Sequence, residues 1–408
     1  MLTDSLKKIS FFVLFLVIAS LAFSISFYEI TSILFILISI FLFLTDTDKQ
    51  VLRGRWALFF TVYFIVNLLS LTQTHYPADS WKGILRVTRS ILLCLSVIYT
   101  VDSEEKFRKL FFWCLWVAFF ISVDGLLQGF TGYEVIRHRN VTGYLENGGR
   151  ITSTFRHAND FAAYLTLMLI FFAGILSEAK SLKLSAIKII ALGLGALSLF
   201  ISILWTYSRG SWMAVGFTLL LMAVFKGRKL LLGVFAILII WVIFFSPPLV
   251  RIRAQSLWDP KNGTITERKV LAQESFDMIE KSPWLGMGLN TFSDNAPFYK
   301  SKTVHTDVQY AHNGYLQMAV ETGIVGLIGF LALLIYFFCS TAPILLKQPV
   351  GFLEAGGFAV VFGVLAFLIH SFTDTDLHSL LLVSNLWLCM GLAWAAALIS
   401  KNRKIATP

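Results

Sequence analysis

The 408-residue chain is 57% hydrophobic and only 14% charged, with 38 phenylalanines and a formal net charge of +10. A water-soluble domain of this size needs far more surface charge, so lipid must be the main solvent. The positive balance does not point to nucleic acid, because the basic residues sit in short clusters between apolar runs, where they orient a membrane protein.

In chain order, the runs long enough to span a bilayer are 9–26, 28–44, 56–71, 84–100, 110–130, 159–177, 185–206, 212–225, 230–246, 323–340, 351–370 and 379–399. The expected fold is an all-α polytopic membrane protein of about twelve transmembrane helices, forming a single transmembrane domain over 1–408. The first run follows Lys7-Lys8 but lacks a small-residue cleavage site and passes almost directly into the second. It therefore reads as one arm of a retained helical hairpin rather than a signal peptide. Cys94, Cys114, Cys339 and Cys389 all lie inside apolar runs, so neither a disulfide framework nor a metal centre is expected.

Loop charges test the count. Alternate connections carry Lys49, Arg53 and Arg55, then Lys106, Arg108 and Lys109, then Lys180 and Lys183, Lys226, Arg228 and Lys229, Lys347, and Lys401, Arg403 and Lys404. The short loops between them carry only Lys82 and Arg209. That alternation predicts both termini on the cytoplasmic side, with the loops 131–158 and 247–313 on the outer face. Cytoplasmic loops this short hold no nucleotide-binding domain, and no P-loop or dinucleotide fingerprint occurs.

The chemistry-capable residues collect on the expected outer face. Arg86 and Arg89, three apart, share a helix face near the outer end of the fourth span; they line a site or snorkel to the interface. Arg150 and Arg156 flank a polar run ending at Asn159, just ahead of the sixth span. Arg209, in Tyr207-Ser208-Arg209-Gly210-Ser211, opens a helix, where free amides, the dipole and a guanidinium favour an anion such as phosphate. The plainer reading is an interfacial arginine.

In the long outer loop, Thr264 and Glu267 form an expected capping box for a helix ending before Pro283. Arg268, Leu271, Ala272, Ser275, Met278 and Ile279 share one face of it, so Arg268 points with the apolar stripe and needs an anion from protein or substrate. His312, in Ala311-His312-Asn313-Gly314-Tyr315-Leu316-Gln317, has the side chain best poised to take a proton near neutral pH; a structural surface histidine is the alternative. Glu321 lies more than two turns further on and is read as orienting neighbours or capping loop amides. Asp374 and Asp376, in the last outer loop, are counter-ions or solvated.

Together these segments resemble the O-antigen ligase and polymerase family of bacterial surface-polysaccharide enzymes. The resemblance rests on Thr206-Tyr207-Ser208-Arg209-Gly210, Glu267-Arg268, Ser282-Pro283-Trp284-Leu285-Gly286-Met287-Gly288-Leu289, His312 through Gln317, and Glu321-Thr322-Gly323, and more loosely on Arg150 through Asn159, in order over residues 150–330. It implies a GT-C-like fold and a metal-independent, inverting glycosyl transfer without cofactor. The donor would be an undecaprenyl-diphosphate-linked glycan. The acceptor would be lipid A–core for a ligase, or another carrier-linked repeat unit for a polymerase. It makes Arg209 and Arg268 the diphosphate-binding cations, with Arg150 or Arg156 beside them, and His312 the base. Asn159, Asn313, Tyr315, Glu321, Arg86 and Arg89 are supporting candidates. The competing class is a lipid-linked sugar transporter, which would scatter substrate-binding charge through the depth of the bundle.

Overall fold

A computed structural model of the chain describes residues 2–46, 54–140, 149–227, 233, 248–255, 263–299, 310–346 and 351–406. The long apolar runs become helices because a backbone in lipid has no water to satisfy its amides and carbonyls. They are α1 (Leu2–Phe23), α2 (Ile25–Thr45), α3 (Trp56–Leu69), α4 (Pro77–Thr100), α5 (Glu104–Thr131), α6 (Ala158–Ser177), α7 (Ala186–Trp205) and α8 (Arg209–Lys226). After these come α9 (Pro248–Gln255), α10 (Gly263–Lys281), α11 (Gly314–Leu345), α12 (Phe352–His370) and α13 (Leu380–Ala406). The one sheet among the described residues is a small hairpin pairing Tyr133 with Asn140 and Glu134 with Arg139.

Ten helices among the described residues are long and apolar enough to cross a membrane. A shorter apolar stretch, Arg209–Phe225 in α8, matches the expected eighth span. The span expected at 230–246 lies outside the described residues. The chain is a multi-pass, all-α membrane protein, as its composition predicts. Local signals set the boundaries: Ser24 separates α1 from α2 and accepts from the Phe27 amide, and Pro77 opens α4. Ser103 caps α5 ahead of Glu104 and Glu105.

Burial is deepest in α6, α12 and α13, while α2 and α7 turn side chains such as Ile30, Leu44 and Ile187 outward, to the lipid. Small residues bring α6 and α12 together: a Cβ added at Gly174 would stand 2.4 Å from that of Ala359, and one at Gly363 would stand 2.6 Å from Phe171. Around this centre α8 also packs on α12, whereas α3 packs on α11 and α4 on α13. The chain therefore has an α6–α8 side and an α3–α4 side. Lys7 with Asp46, Lys106 with Asp102 and Arg403 with Glu104 tie α1, α2, α5 and α13 at one end of the bundle. The opposite end carries the residues singled out from the sequence.

At that end α11 is broken. Gly323 has φ 68° and ψ −178°, which interrupts the helix and releases its backbone groups. The segment after α10 takes them up: Met287 N donates to Val320 O (2.9 Å) and Gly288 N to Glu321 O (3.0 Å), while Ile324 N donates to Pro283 O (2.8 Å). Pro283 through Gly288 is thus a plug fitted into the break. Gly286 lies against it at φ +70°, where an added Cβ would stand 2.5 Å from the Glu321 backbone.

Gly132, which ends α5, has the same φ of +70° with nothing within 4 Å of an added Cβ. Gly132→Ala is expected to cost only the left-handed conformational penalty of about 1–2 kcal/mol. Gly286→Ala adds a backbone clash and should lower the thermal-unfolding midpoint in detergent further; equal shifts would refute the fitted plug.

Candidate active site

The first outer loop is held down by two buried acceptors on α5. Asp124 Oδ1 accepts from the amides of Val135 and Ile136, both at 3.0 Å, and its Oδ2 from Ser153 Oγ at 2.6 Å. Gln128 Oε1 accepts from the amides of Thr152 and Ser153 at 2.9 and 2.7 Å. Thr154 donates to the Ala22 carbonyl, and Arg137 to that of Phe23 at 2.8 Å. These bonds deliver residues 150–159 to the start of α6.

There the loop meets Asp374, in the turn between α12 and α13. Asn159 Nδ2 donates to Asp374 Oδ2 at 2.5 Å, and Arg150 Nη2 donates to Asn159 Oδ1 at 2.5 Å. Arg150 Nε also donates to the Thr206 carbonyl (2.6 Å), which joins this loop to the link before α8. Arg268, from α10, brings Nη2 to 4.0 Å from Asp374 Oδ2. On the other oxygen, His312 Nδ1 lies 3.3 Å from Asp374 Oδ1, which also accepts from the Thr375 amide. One carboxylate therefore gathers residues from three other segments of the chain.

Burial alone would raise the Asp374 carboxyl. The hydrogen bond and charge of His312, with His370 and Arg268 behind them, overcome burial and hold the group well below the ordinary carboxylate range. Asp374 is consequently an anion at physiological pH, and the cations face a fixed negative charge.

Arg209 is the first residue of α8, and its neighbour Gly210 is pressed so closely on the 370–373 turn that a Cβ would overlap Thr373 Oγ1. That contact sets the start of α8 beside the Asp374 turn. Arg156 is exposed just before α6, where its charge acts on His157. His312 and Tyr207 adopt left-handed backbone, at φ 49° and 51°, in the last residues before α11 and the α8 cap. Neither is glycine, so both conformations are strained and must be imposed by the surroundings.

Asn313 and Tyr315 bond to the scaffold. Asn313 caps α11, its Oδ1 accepting from Tyr315 and Leu316 amides at 3.0 Å, while its Nδ2 donates to the Phe372 carbonyl at 3.1 Å. Tyr315 is buried and donates to the Leu368 carbonyl at 2.8 Å. Arg89 turns toward Glu29 (3.5 Å) and over the ring of Tyr28, away from the Asp374 cluster. Arg86 Nη1 instead donates to Asn290 Oδ1 at 2.8 Å. Glu321 caps loop amides, as expected: Oε2 accepts from Asn290 N at 2.8 Å, and Oε1 from Phe292 N at 3.4 Å and from Gln317 Nε2 at 3.1 Å. His378 Nδ1 stands 3.6 Å from the same Oε1. A second polar cluster thus lies behind the first.

The α10 stripe runs as predicted, with Leu271, Ser275 and Met278 buried and Arg268 at its leading end. The helix begins at Gly263, one residue ahead of the expected Thr264 cap, whose side chain lies outside the described residues. The residue missing from the predicted site is Asp374, read only as a counter-ion or a solvated group. Its signal was the need of two inward cations for a carboxylate. A further buried pair, His370 Nδ1 and Asp376 Oδ2 at 2.6 Å, stiffens the same turn.

Residues 194–331 match the model of the family described as O-Antigen ligase. The matched segment spans the motifs on which the resemblance rests. It includes Arg209, Arg268, His312 and Glu321, while Arg150, Asn159 and Asp374 fall outside it. The chain is also similar to the teichuronic acid biosynthesis protein TuaE of Bacillus subtilis (strain 168), at 23% identity over 240 residues. That match covers 59% of this chain and 44% of the relative.

Burial, with the Arg86 charge behind it, holds His378 below the ordinary histidine range against the attraction of Glu321. A base whose folded pKa is depressed is bound less tightly by protons in the fold than in the unfolded chain. Its stabilising contribution is whole above the unfolded value of about 6.5 and falls as pH drops below it. The thermal midpoint in detergent should therefore decline between pH 7.5 and 5, and decline less steeply in His378→Gln; an unchanged slope would contradict this.

Proposed function

We propose that the chain is a glycosyltransferase of the O-antigen ligase type. In this reading it transfers a polysaccharide from an undecaprenyl-diphosphate carrier to lipid A–core at the periplasmic face of the inner membrane. The observation that carries it is the convergence of His312, Arg268, Arg150 and Asn159 on Asp374, with the start of α8 and Arg209 alongside. Charge gathered at one end of the bundle favours an enzyme over a transporter, whose binding residues would lie near mid-depth.

The mechanism follows from the atoms. With Asp374 accepting from Nδ1–H of His312, the imidazole is held in the tautomer whose Nε2 carries a lone pair. Nε2 takes the proton of the acceptor hydroxyl as its oxygen attacks the anomeric carbon. The bond from that carbon to the carrier diphosphate breaks, and the leaving oxygen keeps the electron pair. Its growing negative charge falls to Arg209, Arg268 and Arg150, with Arg268 turning from its 4.0 Å contact with Asp374. A single displacement inverts the anomeric centre. The metal-free expectation comes from the resemblance, and His312 and the three arginines are the proposed base and cations.

A specific observation supports a second acceptor. The similarity to a protein named for teichuronic acid biosynthesis favours polymerisation of carrier-linked repeat units as the alternative reading.

Replacing His312 by Ala should lower transfer by about 10²–10⁴-fold while donor binding persists. Asp374→Asn should lower it as well, by releasing the imidazole and unbalancing Arg268. Surface glycans read by gel from cells carrying each variant in place of the wild-type gene report the outcome. Loss of all capped lipopolysaccharide with carrier-linked polymer accumulating marks a ligase, and single-repeat capping marks a polymerase. Full activity in His312→Ala would remove His312 from the chemistry.

A further inference from the structure

Behind the His312 loop lies a cavity of about 80 Å³ whose lining includes Arg86, Asn290, Gln317, Glu321 and His378. Asn67 and Ser90 add polar atoms, and Tyr63 and Trp387 add ring surface on its inner side. Gly314 and Leu377 also line it, so its wall is continuous with the two segments that hold His312 and Asp374. Gly314 N donates to the carbonyls of Ser371 and Asp374, which pins those two segments together.

Most polar groups of this cluster are already engaged. Glu321 faces the amides of Asn290 and Phe292, Gln317 and His378. Asn290 is held at φ 62°, with its Oδ1 accepting from Arg86 and its Nδ2 donating to the Asp79 carbonyl at 3.2 Å. Arg86 differs. Among the described residues it forms no ion pair, and its one hydrogen bond leaves most of the donors of a guanidinium that lines the cavity without a protein partner. A cation used only to tie α4 to Asn290 would not require an open polar space beside it.

The position of the cavity matters as much as its lining. The Asp374 cluster draws Arg150 and Asn159 from the α6 side, and the start of α8 adjoins it there. The cavity opens on the other side, between α3, α4, α11 and α13. The His312 loop stands between a cationic half suited to a diphosphate and a half whose Arg86 and Glu321 charges offset one another. Planar amides, one guanidinium, one carboxylate and two aromatic rings offer paired donors, acceptors and apolar faces, which is what a ring bearing hydroxyls requires.

We propose that this cavity is the subsite for the acceptor sugar, an inference that rests on the transferase reading above. The space exceeds the roughly 10–15 Å³ that admits one water, so it has room for several small polar groups. It therefore takes the hydroxyl-bearing edge of one ring, with Arg86 and Gln317 as the recognising donors and the rest of the ring toward His312.

The test is saturation-transfer NMR on the full chain in detergent with glucose, galactose, N-acetylglucosamine and glucuronate as probes. The wild type should transfer saturation to at least one of them. Arg86→Gln should weaken that signal by about tenfold or more, the loss of a charge-assisted hydrogen bond. Ser90→Leu should abolish it by filling the space without touching the Glu321 network, and Lys7→Gln at the opposite end should behave as wild type. Thermal midpoints confirm that each variant is folded; if Arg86→Gln does not fold, Ser90→Leu decides. A signal that survives Ser90→Leu, or no signal from the wild type with any probe, overturns the proposal. Neither result depends on catalysis, so failure of the transferase reading shows separately, as unchanged surface glycans in the His312→Ala strain.

Discussion

The arrangement at one end of the bundle depends on a single buried anion. A carboxylate as enclosed as Asp374 is costly unless cations and donors surround it, because removing it from water forfeits several kcal/mol of hydration. Asn159, His312, the Thr375 amide and Arg268 meet that demand, and Arg150 braces Asn159 from behind. The dependence is mutual. Positive groups drawn from loops far apart in sequence would repel one another without Asp374, and Asp374 would be protonated or exposed without them. Under the proposed transfer, a diphosphate would carry more negative charge than one carboxylate. It could therefore recruit Arg268 from its 4.0 Å contact without emptying the site of counter-charge.

The second constraint is the backbone. Breaking α11 at Gly323 within lipid would strand amides and carbonyls, a cost of several kcal/mol for each unmet group. The Pro283–Gly288 plug fills those places, so the segment following α10 is fixed relative to α11. Glu321, one turn before the released amides, then caps Asn290 and Phe292. Through these bonds α10, which carries Arg268, and α11, which follows His312, become one rigid unit. In the short motif with two glycines, close approach of two backbones explains Gly286, whereas Gly288 has φ +110° and leaves no room beside the Thr74 and Ser80 side chains.

Much of this was legible in the sequence, for identifiable reasons. Span positions follow from apolar length, and the direction of Arg268 from the three-and-four spacing of its stripe. Partnerships across long separations were not legible. Arg86 and Arg89 share a helix face by period, yet one meets Asn290 and the other Glu29, because period fixes direction and not the neighbour. Asp374 lies 62 residues from His312 in the chain, in a loop with no motif around it. Asn313 and Tyr315 stand in a motif beside a candidate base, and only their bonds to backbone groups mark them as scaffold.

The division of the bundle bears on how a base at His312 would be used. Under the proposed transfer, a general base in a single displacement must reach a hydroxyl on the side opposite the departing diphosphate, so donor and acceptor would need separate approaches to one imidazole. His312, strained at φ 49°, lies on a loop between the α6–α8 side and the α3–α4 side, which suits both approaches. A histidine on a regular helix would present its ring along one face of that helix. Placed in a turn and anchored at Nδ1 by Asp374, the ring projects Nε2 away from the carboxylate instead. The backbone strain at His312 is the physical cost of that placement, and the buried charge of Asp374 is what sustains it.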